Sequence, residues 1–332
     1  MTTRSTVKHM SREQFASAHE TSIVTEPNTV YSFHDASHGA EIFHAIDHIF
    51  TDADGTVVSE GATTLDAHKA DLVRKLNEQG IGTTIITGKP YPEVEKLHKS
   101  LPTDLPISFI YEKGAYELHF DPEGKPIQRY LLSSEALEQS VLSLKQEFAD
   151  FRDILIQKYS IDKATPTLGF GWAGSGAHRS IVSIDIFSCT PPDGYLELIG
   201  SYREALKLTD NALLEAVVAD ITAFVRERQP TWSVIHLGNG NIDVTPDAIE
   251  KDTAIAANKP FQDARRVLVL GDTENDRAMF RLRNTYSDKV VAGLVYHRQQ
   301  AVALLDDVDV ASVGMANADP ILAAVLAIRT DA

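Results

Sequence analysis

The chain has 332 residues, more than one typical core sustains and few for three domains, so two domains are expected. Its 47 acidic and 31 basic residues give a net charge of -16, which excludes a broad nucleic-acid or anionic-membrane surface but leaves small anionic ligands to local cations. The single cysteine, Cys189, rules out an internal disulfide and a cysteine-built zinc site, and no apolar run is long enough to span a membrane, so the expected setting is a reducing cytoplasm.

Residues 1–43 are polar and without a clear period, and they include His34 and His38, with His44 just beyond. They read as a partly ordered N-terminal extension with surface histidines, packed on the core or on a second subunit. From 44 the pattern becomes α/β. A strand is predicted at 46–52, a helix at 64–79 whose Leu65, Leu72, Val73 and Leu76 share a face, and a stop at Gly80. A second strand follows at 81–87, a helix opened by Pro90 and Pro92 runs to about 100, and a third strand covers 107–111. Alternation at this spacing implies right-handed crossovers and a parallel sheet.

The pattern then changes. Residues 115–130 read as a hairpin and 134–149 as a helix. Residues 180–188 read as a half-exposed antiparallel strand, and 209–228 as a strongly apolar helix. Strands at 232–237 and 241–245 are joined by a tight turn through Asn239-Gly240. The α/β pattern returns with a helix near 248–257, strands at 266–270 and 289–295, and a helix at 320–328. The predicted division is an extension (1–43), an α/β core (44–114 with 246–332) and an inserted α+β domain (115–245).

Four motifs stand out, three of them where an apolar strand ends: Asp52-Ala-Asp54-Gly-Thr, Thr87-Gly88-Lys89, Lys251, and Gly271-Asp272-Thr-Glu-Asn275-Asp276. In a parallel sheet these ends face one way and can converge. Each motif alone has a plain reading: a turn, a helix N-cap or a solvated lysine. Together they supply what phosphoryl transfer asks for. A carboxylate can attack phosphorus, a second acid can move the proton, carboxylates can hold Mg²⁺, and a lysine with a hydroxyl can meet the phosphoryl oxygens.

In this order the motifs resemble the haloacid dehalogenase superfamily, and the insertion resembles its C2-capped, Cof-like and sucrose-phosphate phosphatase-like members. The resemblance implies a Rossmann-like parallel-sheet core with an inserted α+β cap. It implies a Mg²⁺-dependent phosphatase acting on a small phosphorylated metabolite, a sugar phosphate by preference, through an aspartyl-phosphate. It makes Asp52 the nucleophile and a metal ligand. Asp54 becomes the general acid/base, with its carbonyl on the metal. Thr87 and Lys251 become phosphoryl contacts, Asp272 a metal ligand, and Asp276 a ligand or the support of one. Gly88, Lys89 and Asn275 would lie near the phosphate, with Asn275 contacting it or orienting the carboxylates. His178 and Arg179 are candidate substrate contacts in the insertion, as are Trp172, His236, Asn239 and Asn241. Lys89, Lys113 and Asp252 stand where the family often has Arg, Asn and Gly. A phosphomutase or phosphotransferase of the same fold, and a sugar-phosphate-binding protein without catalysis, remain open alternatives, as does monomer against homodimer. Gly169-Phe-Gly171-Trp-Ala-Gly174 matches a dinucleotide pattern but lacks the strand-then-helix context and is set aside.

Overall fold

The computed structural model describes residues 5–19, 28–34, 41–59, 62, 64–102, 105–121, 123–159, 168–172, 177–189, 208, 210–238, 240–297 and 299–330. It resolves two compact units. One comprises residues 1–88, 93–131 and 250–332, the other residues 89–92 and 132–249.

In chain order the first unit opens with β1 (Thr6–His9), α1 (Arg12–His19), β2 (Thr29–Ser32) and β3 (Ile46–Thr51). It continues through α2 (Ala67–Glu78), β4 (Gly82–Ile86), α3 (Tyr91–Ser100), β5 (Ile107–Tyr111), β6 (Tyr116–Phe120) and β7 (Pro126–Tyr130). The second unit holds α4 (Glu135–Tyr159), β8 (Gly169–Trp172), β9 (Val182–Phe187), α5 (Asn211–Arg228), β10 (Trp232–Gly238) and β11 (Asn241–Pro246). The chain then returns to the first unit with α6 (Lys251–Ala257), α7 (Lys259–Asp263), β12 (Arg266–Gly271), α8 (Arg277–Thr285), β13 (Val290–Tyr296), β14 (Val310–Val313) and α9 (Asp319–Thr330).

The large sheet has the order β1-β2-β14-β13-β12-β3-β4-β5-β6-β7. The six strands from β14 to β5 are mutually parallel. Burial on both faces explains the near-continuous apolar sequences of two of them, Val267–Leu270 and Val290–Tyr296. From β3 the chain steps outward to β4 and β5, and from β12 it steps the other way to β13 and β14. The order therefore reverses between β3 and β12, which pair through Phe50 and Val269 and through Thr51 and Leu270. A doubly wound sheet opens its ligand crevice at such a switch point. The α2 helix is fixed at both ends. The Asp66 side chain caps its start by accepting from the Lys69 N–H at 2.9 Å. Gly80, with φ of 77°, ends it in a Schellman turn, with N–H bonds from Gly80 to Asn77 O and from Ile81 to Leu76 O, both 2.9 Å.

Two expected boundaries move. The 115–130 hairpin, assigned to the insertion from sequence, extends the large sheet instead, because β6 pairs antiparallel with β5 through Phe109↔Leu118 and Tyr111↔Tyr116. The return is possible because Glu112, Lys113 and Gly114 all adopt positive φ (48°, 58° and 120°) and reverse the chain within three residues. The insertion thus begins after Leu131 and ends at Ile249. Residues 1–43 are more than an extension. β1 runs parallel to β2, β2 pairs antiparallel with β14, and Phe15 is fully buried with ring centroids 5.1 Å from Tyr31 and 5.2 Å from Tyr296.

The second unit is an antiparallel sheet, β10-β11-β9-β8, with an apolar core drawn from both helices and one sheet face. Phe148 and Leu144 of α4, Val217, Ile221 and Phe224 of α5, and Val182, Ile184, Ile242 and Val244 of the sheet belong to this core. Phe151 of α4 stacks on Phe224 of α5 at 4.2 Å. Gly169–Trp172, the described part of the glycine-rich stretch, is itself strand β8 rather than the loop the dinucleotide reading needs. The expected half-exposure of β9 fails: Ser183 and Asp185, on the face away from the apolar core, are buried as well. No described helix is long and apolar enough to cross a membrane.

Candidate active site

The switch point gathers the predicted carboxylates. Asp52 follows β3, and its N–H bonds Leu270 O of the neighbouring β12 at 2.8 Å, which fixes the end of one strand to the end of the other. Asp272 follows β12, and Asp276 lies one short turn further on. Oxygens of Asp52, Asp272 and Asp276 all fall within 4.8 Å of one another, and all three residues are buried. Lys251, at the first residue of α6, enters this cluster. Its Nζ donates to Asp52 Oδ1 at 2.6 Å and to Asp276 Oδ1 at 2.7 Å.

The electrostatics are strained in an informative way. Burial pushes the Asp52 carboxyl well above the usual range, Lys251 opposes this, and the negative charges of Asp276 and Asp272 add to it. Burial also raises Asp272, against a hydrogen bond from His297. Burial alone would lower Lys251, but the carboxylates of Asp276 and Asp52 outweigh it and hold the lysine above its ordinary value, so it stays charged at neutral pH. One lysine cannot neutralise three carboxylates. The surplus negative charge, carried on hard oxygen ligands, suits a hard divalent cation, so the residues present fit Mg²⁺.

The loop carrying Asp52 is tightly wound. Val58 N–H bonds Ala53 O at 2.8 Å, and Gly55 N–H bonds Val58 O at 2.7 Å. Gly55 has φ of +76°, and a Cβ there would come within 2.3 Å of Asp272 Oδ2, so only glycine allows the two strand-end loops to close together. Asp54 sits half-buried in this turn. Thr56 donates to Asp272 Oδ1 at 3.1 Å. Thr87 is buried just past β4, held by its N–H to Ile110 O at 2.9 Å and by Lys113 N–H to its own carbonyl at 3.0 Å.

A family model described as haloacid dehalogenase-like hydrolase matches residues 49–285, well over half of the chain. The chain belongs to this family. The match begins in β3 and ends in α8, so it includes every strand-end motif and the whole insertion. Solved structures with the same fold include BT1666 from Bacteroides thetaiotaomicron, one of the phosphatases of the haloalkanoate enzyme superfamily. It is 14% identical with a TM-score of 0.52, over 86% of this chain and 96% of that one. The C-terminal domain of C. albicans trehalose-6-phosphate phosphatase is 14% identical with a TM-score of 0.51, over 81% and 93%. Thermoplasma acidophilum 0175 is 15% identical with a TM-score of 0.51, over 83% and 96%. At these identities the likeness speaks for the fold. No curated protein matches the chain.

Within this haloacid dehalogenase-like hydrolase, the predicted residues separate into groups. Asp52, Asp272, Asp276 and Lys251 meet at the switch point, and Asp54, Thr87 and Gly88 belong to the same unit's strand-end loops. Asp276 supports rather than presents: Oδ2 accepts from the N–H groups of Asp272 and Thr273 at 3.0 and 3.1 Å and from Thr273 Oγ1 at 3.3 Å, while Oδ1 faces Lys251. Of the two roles expected for Asn275, contacting phosphate or orienting the carboxylates, the second is filled by other groups. Its side chain is exposed, and the job falls to Thr273 and the backbone. Lys89, His178 and Arg179 fall in the second unit. There Arg179 lies 3.4 Å from Glu138, and the His178 backbone carbonyl accepts from Lys145 Nζ at 2.6 Å. Asn241 donates to Asp185 at 3.1 Å, and Asn239 lies outside the described residues. Of the N-terminal histidines, His34 bonds Asp309 at 2.9 Å and His38 lies outside the described residues. The one acidic metal cluster among the described residues contains no histidine.

The sequence reading missed His297. It follows β13, whose Leu294 pairs with Gly271, and its Nε2 lies 2.7 Å from Asp272 Oδ2. The available signal was a titratable residue directly after an apolar parallel strand adjacent to β12.

Proposed function

We propose that this hydrolase is a Mg²⁺-dependent phosphatase of small phosphorylated metabolites, working through an aspartyl-phosphate on Asp52. The observation that carries the proposal is the meeting of Asp52, Lys251, Asp272 and Asp276 at the sheet's switch point. Asp52 and Asp272 would hold the cation with the Asp54 carbonyl. When bound, the cation offsets the carboxylate charge and draws electron density from the phosphoryl group.

In the first step an Asp52 oxygen bonds phosphorus as the bond from phosphorus to the leaving oxygen breaks, and Asp54 gives that oxygen its proton. In the second, Asp54 takes a proton from water, the water oxygen bonds phosphorus, and the Asp52 carboxylate leaves with free phosphate as product. Lys251 offsets charge on the phosphoryl oxygens while the Thr87 hydroxyl donates to them. Gly88 fits this picture. Its φ is not positive and a Cβ there would meet only Lys113 Cγ at 3.9 Å, so neither backbone nor neighbours require glycine, and we read it as leaving room for the phosphoryl group.

Substrate choice we assign to the inserted unit, as the C2-type resemblance implies, and we take a sugar phosphate as the preferred class. The chain's composition supports a cytoplasmic setting, with one cysteine in 332 residues. The test is a panel of phosphorylated metabolites, sugar phosphates included, assayed for free phosphate with Mg²⁺ and with EDTA. Mg²⁺-dependent release that disappears in Asp52→Asn is the expected result. An isomeric phosphate ester in place of free phosphate would make the protein a mutase, and unchanged release by Asp52→Asn would remove Asp52 as nucleophile.

A further inference from the structure

His297 is buried against Asp272, with side-chain exposures of 3% and 2%. Its Nδ1 is buried without a hydrogen-bond partner. A proton on Nδ1 would be a buried unsatisfied donor and would turn the Nε2 lone pair onto the carboxylate, so the proton belongs on Nε2, which donates to Asp272 Oδ2 at 2.7 Å. The other oxygen, Oδ1, accepts from Thr56 Oγ1 at 3.1 Å. The Asp272 carboxylate is therefore gripped on both oxygens before any ligand arrives. Gly55 makes room for the grip, since a Cβ there would lie 2.8 Å from His297 Nε2.

We infer that His297 is a positioning residue for cation binding: its Nε2–H fixes the plane of the Asp272 carboxylate, so the free lone pairs already point into the cluster with Asp52. The inference rests on the reading of Asp272 as a metal ligand. Partners behind a ligand commonly change metal affinity by about 10–100-fold, because an untethered carboxylate must be ordered when the ion binds. His297 itself does not join the carboxylate cluster, so it acts through Asp272.

The experiment is Mn²⁺ binding to the full metal-free chain without substrate, followed by the electron paramagnetic resonance signal of free Mn²⁺. Folding is checked by circular dichroism. His297→Gln keeps an N–H at about the reach of Nε2, while His297→Asn is one carbon shorter and loses it. We expect Asn to weaken Mn²⁺ binding by about tenfold or more and Gln to stay within about threefold of the parent. At saturating Mg²⁺ the Asn variant should regain most of its kcat with KM for p-nitrophenyl phosphate unchanged, a split that general loosening of the fold would not give. Equal Mn²⁺ affinity in the parent, Asn and Gln proteins overturns the inference. Asp272→Asn is the control for the reading beneath it. If that variant loses Mn²⁺ while His297→Asn keeps it, only the role of His297 fails. If Asp272→Asn binds Mn²⁺ like the parent, the metal assignment fails and the inference with it.

Discussion

The two sheets treat polar residues in opposite ways. In the parallel sheet, β13 and residues 267–270 of β12 are apolar on both faces, and acidic groups gather past the strand ends, at Asp52, Asp272 and Asp276. In the inserted antiparallel sheet, one face is apolar while Ser183, Asp185, Asn241 and Asp243 alternate onto the other, within the strands themselves. A sheet covered on both faces can hold chemistry only at its rim, where loops supply donors and counter-charges. A sheet with one apolar face has a second face to use. The first unit therefore concentrates like charge that folding alone would not select. The second satisfies its charges locally, as Arg179 with Glu138 and Lys158 with Asp220 at 2.6 Å show.

The sharpest test of that contrast is Asp52→Asn. It should lower phosphate release by more than about 10³-fold, the scale at which losing a nucleophile is felt. It should also raise the melting temperature of the metal-free protein, measured by scanning calorimetry in EDTA. The sign follows from Asp52 lying above the usual carboxylate range: its ionised form is less favourable folded than unfolded, so ionisation at neutral pH destabilises the fold. Lys251 keeps Asp276 as partner when Asp52 is neutral. A lower melting temperature would mean that the rim is not frustrated and that the contrast is wrong.

In the inserted unit the corresponding large effect is purely one of packing. Phe224 stacks on Phe151, touches Phe148 edge-on at 6.2 Å, and lies under the Arg228 guanidinium at 3.9 Å. Phe224→Ala should remove about 3–5 kcal/mol of stability, read as the shift in denaturant midpoint. A loss below about 1 kcal/mol would show that α4 and α5 are not joined through this contact.

His48 tests whether burial strains the parallel sheet away from its rim. It lies within β3, with Nε2 2.8 Å from Thr84 Oγ1, and Gly82 opposite has no room for a Cβ because His48 Nδ1 would stand 2.4 Å away. Burial lowers its pKa from 6.5 to about 4. The folded protein therefore keeps His48 neutral while the unfolded chain takes up a proton below pH 6.5. Stability is fully present above that value and is lost as pH falls towards 4. The shift corresponds to roughly 3 kcal/mol at most. Unfolding free energies between pH 7 and 4.5 should fall by about 2 kcal/mol more for the parent than for His48→Gln. Parallel pH profiles would remove His48 as a source of acid sensitivity.

How much could be read in the sequence follows from the same contrast. Strands β3, β4, β5 and β12 carry apolar residues up to or near their C-terminal ends, and short contiguous motifs follow β3, β4 and β12, so both fold and carboxylates were visible. Residues 1–43 were not, because β1 and β2 are four residues each and take their meaning from pairing at the sheet edge. The hairpin was assigned to the wrong unit because its partner, β5, is defined by a left-handed turn at Glu112 and Lys113, residues whose identities do not announce it. His297 was missed for a related reason: its one signal was its place directly after an apolar strand, and only the pairing of β13 beside β12 brings it to Asp272. In the inserted unit Asn241 and Asp185 lie 56 positions apart and meet only through register.

The smallest expected effects compare one helix cap from each unit. Asp66 caps α2 through Lys69 N–H at 2.9 Å. Asp210 caps α5 through Ala212 and Leu213 N–H at 3.0 and 3.1 Å. Replacing a capping aspartate by alanine typically removes about 1 kcal/mol. Asp210→Ala should show that value alone, because Asp210 is exposed and, among the described residues, bonds only its helix end. Asp66 also pairs with the largely buried Lys69 ammonium, whose remaining carboxylate, Asp319, lies 3.5 Å away. Asp66→Ala should therefore remove somewhat more, about 1.5–2 kcal/mol, because the lysine is left to a single and more distant partner. The excess should vanish in the double variant Asp66→Ala/Lys69→Met, where no buried charge remains to be satisfied. If the two single variants lose equal stability in urea titrations, the Lys69 pairing is a surface contact without consequence. The first unit's excess of buried charge would then be confined to the rim at Asp52.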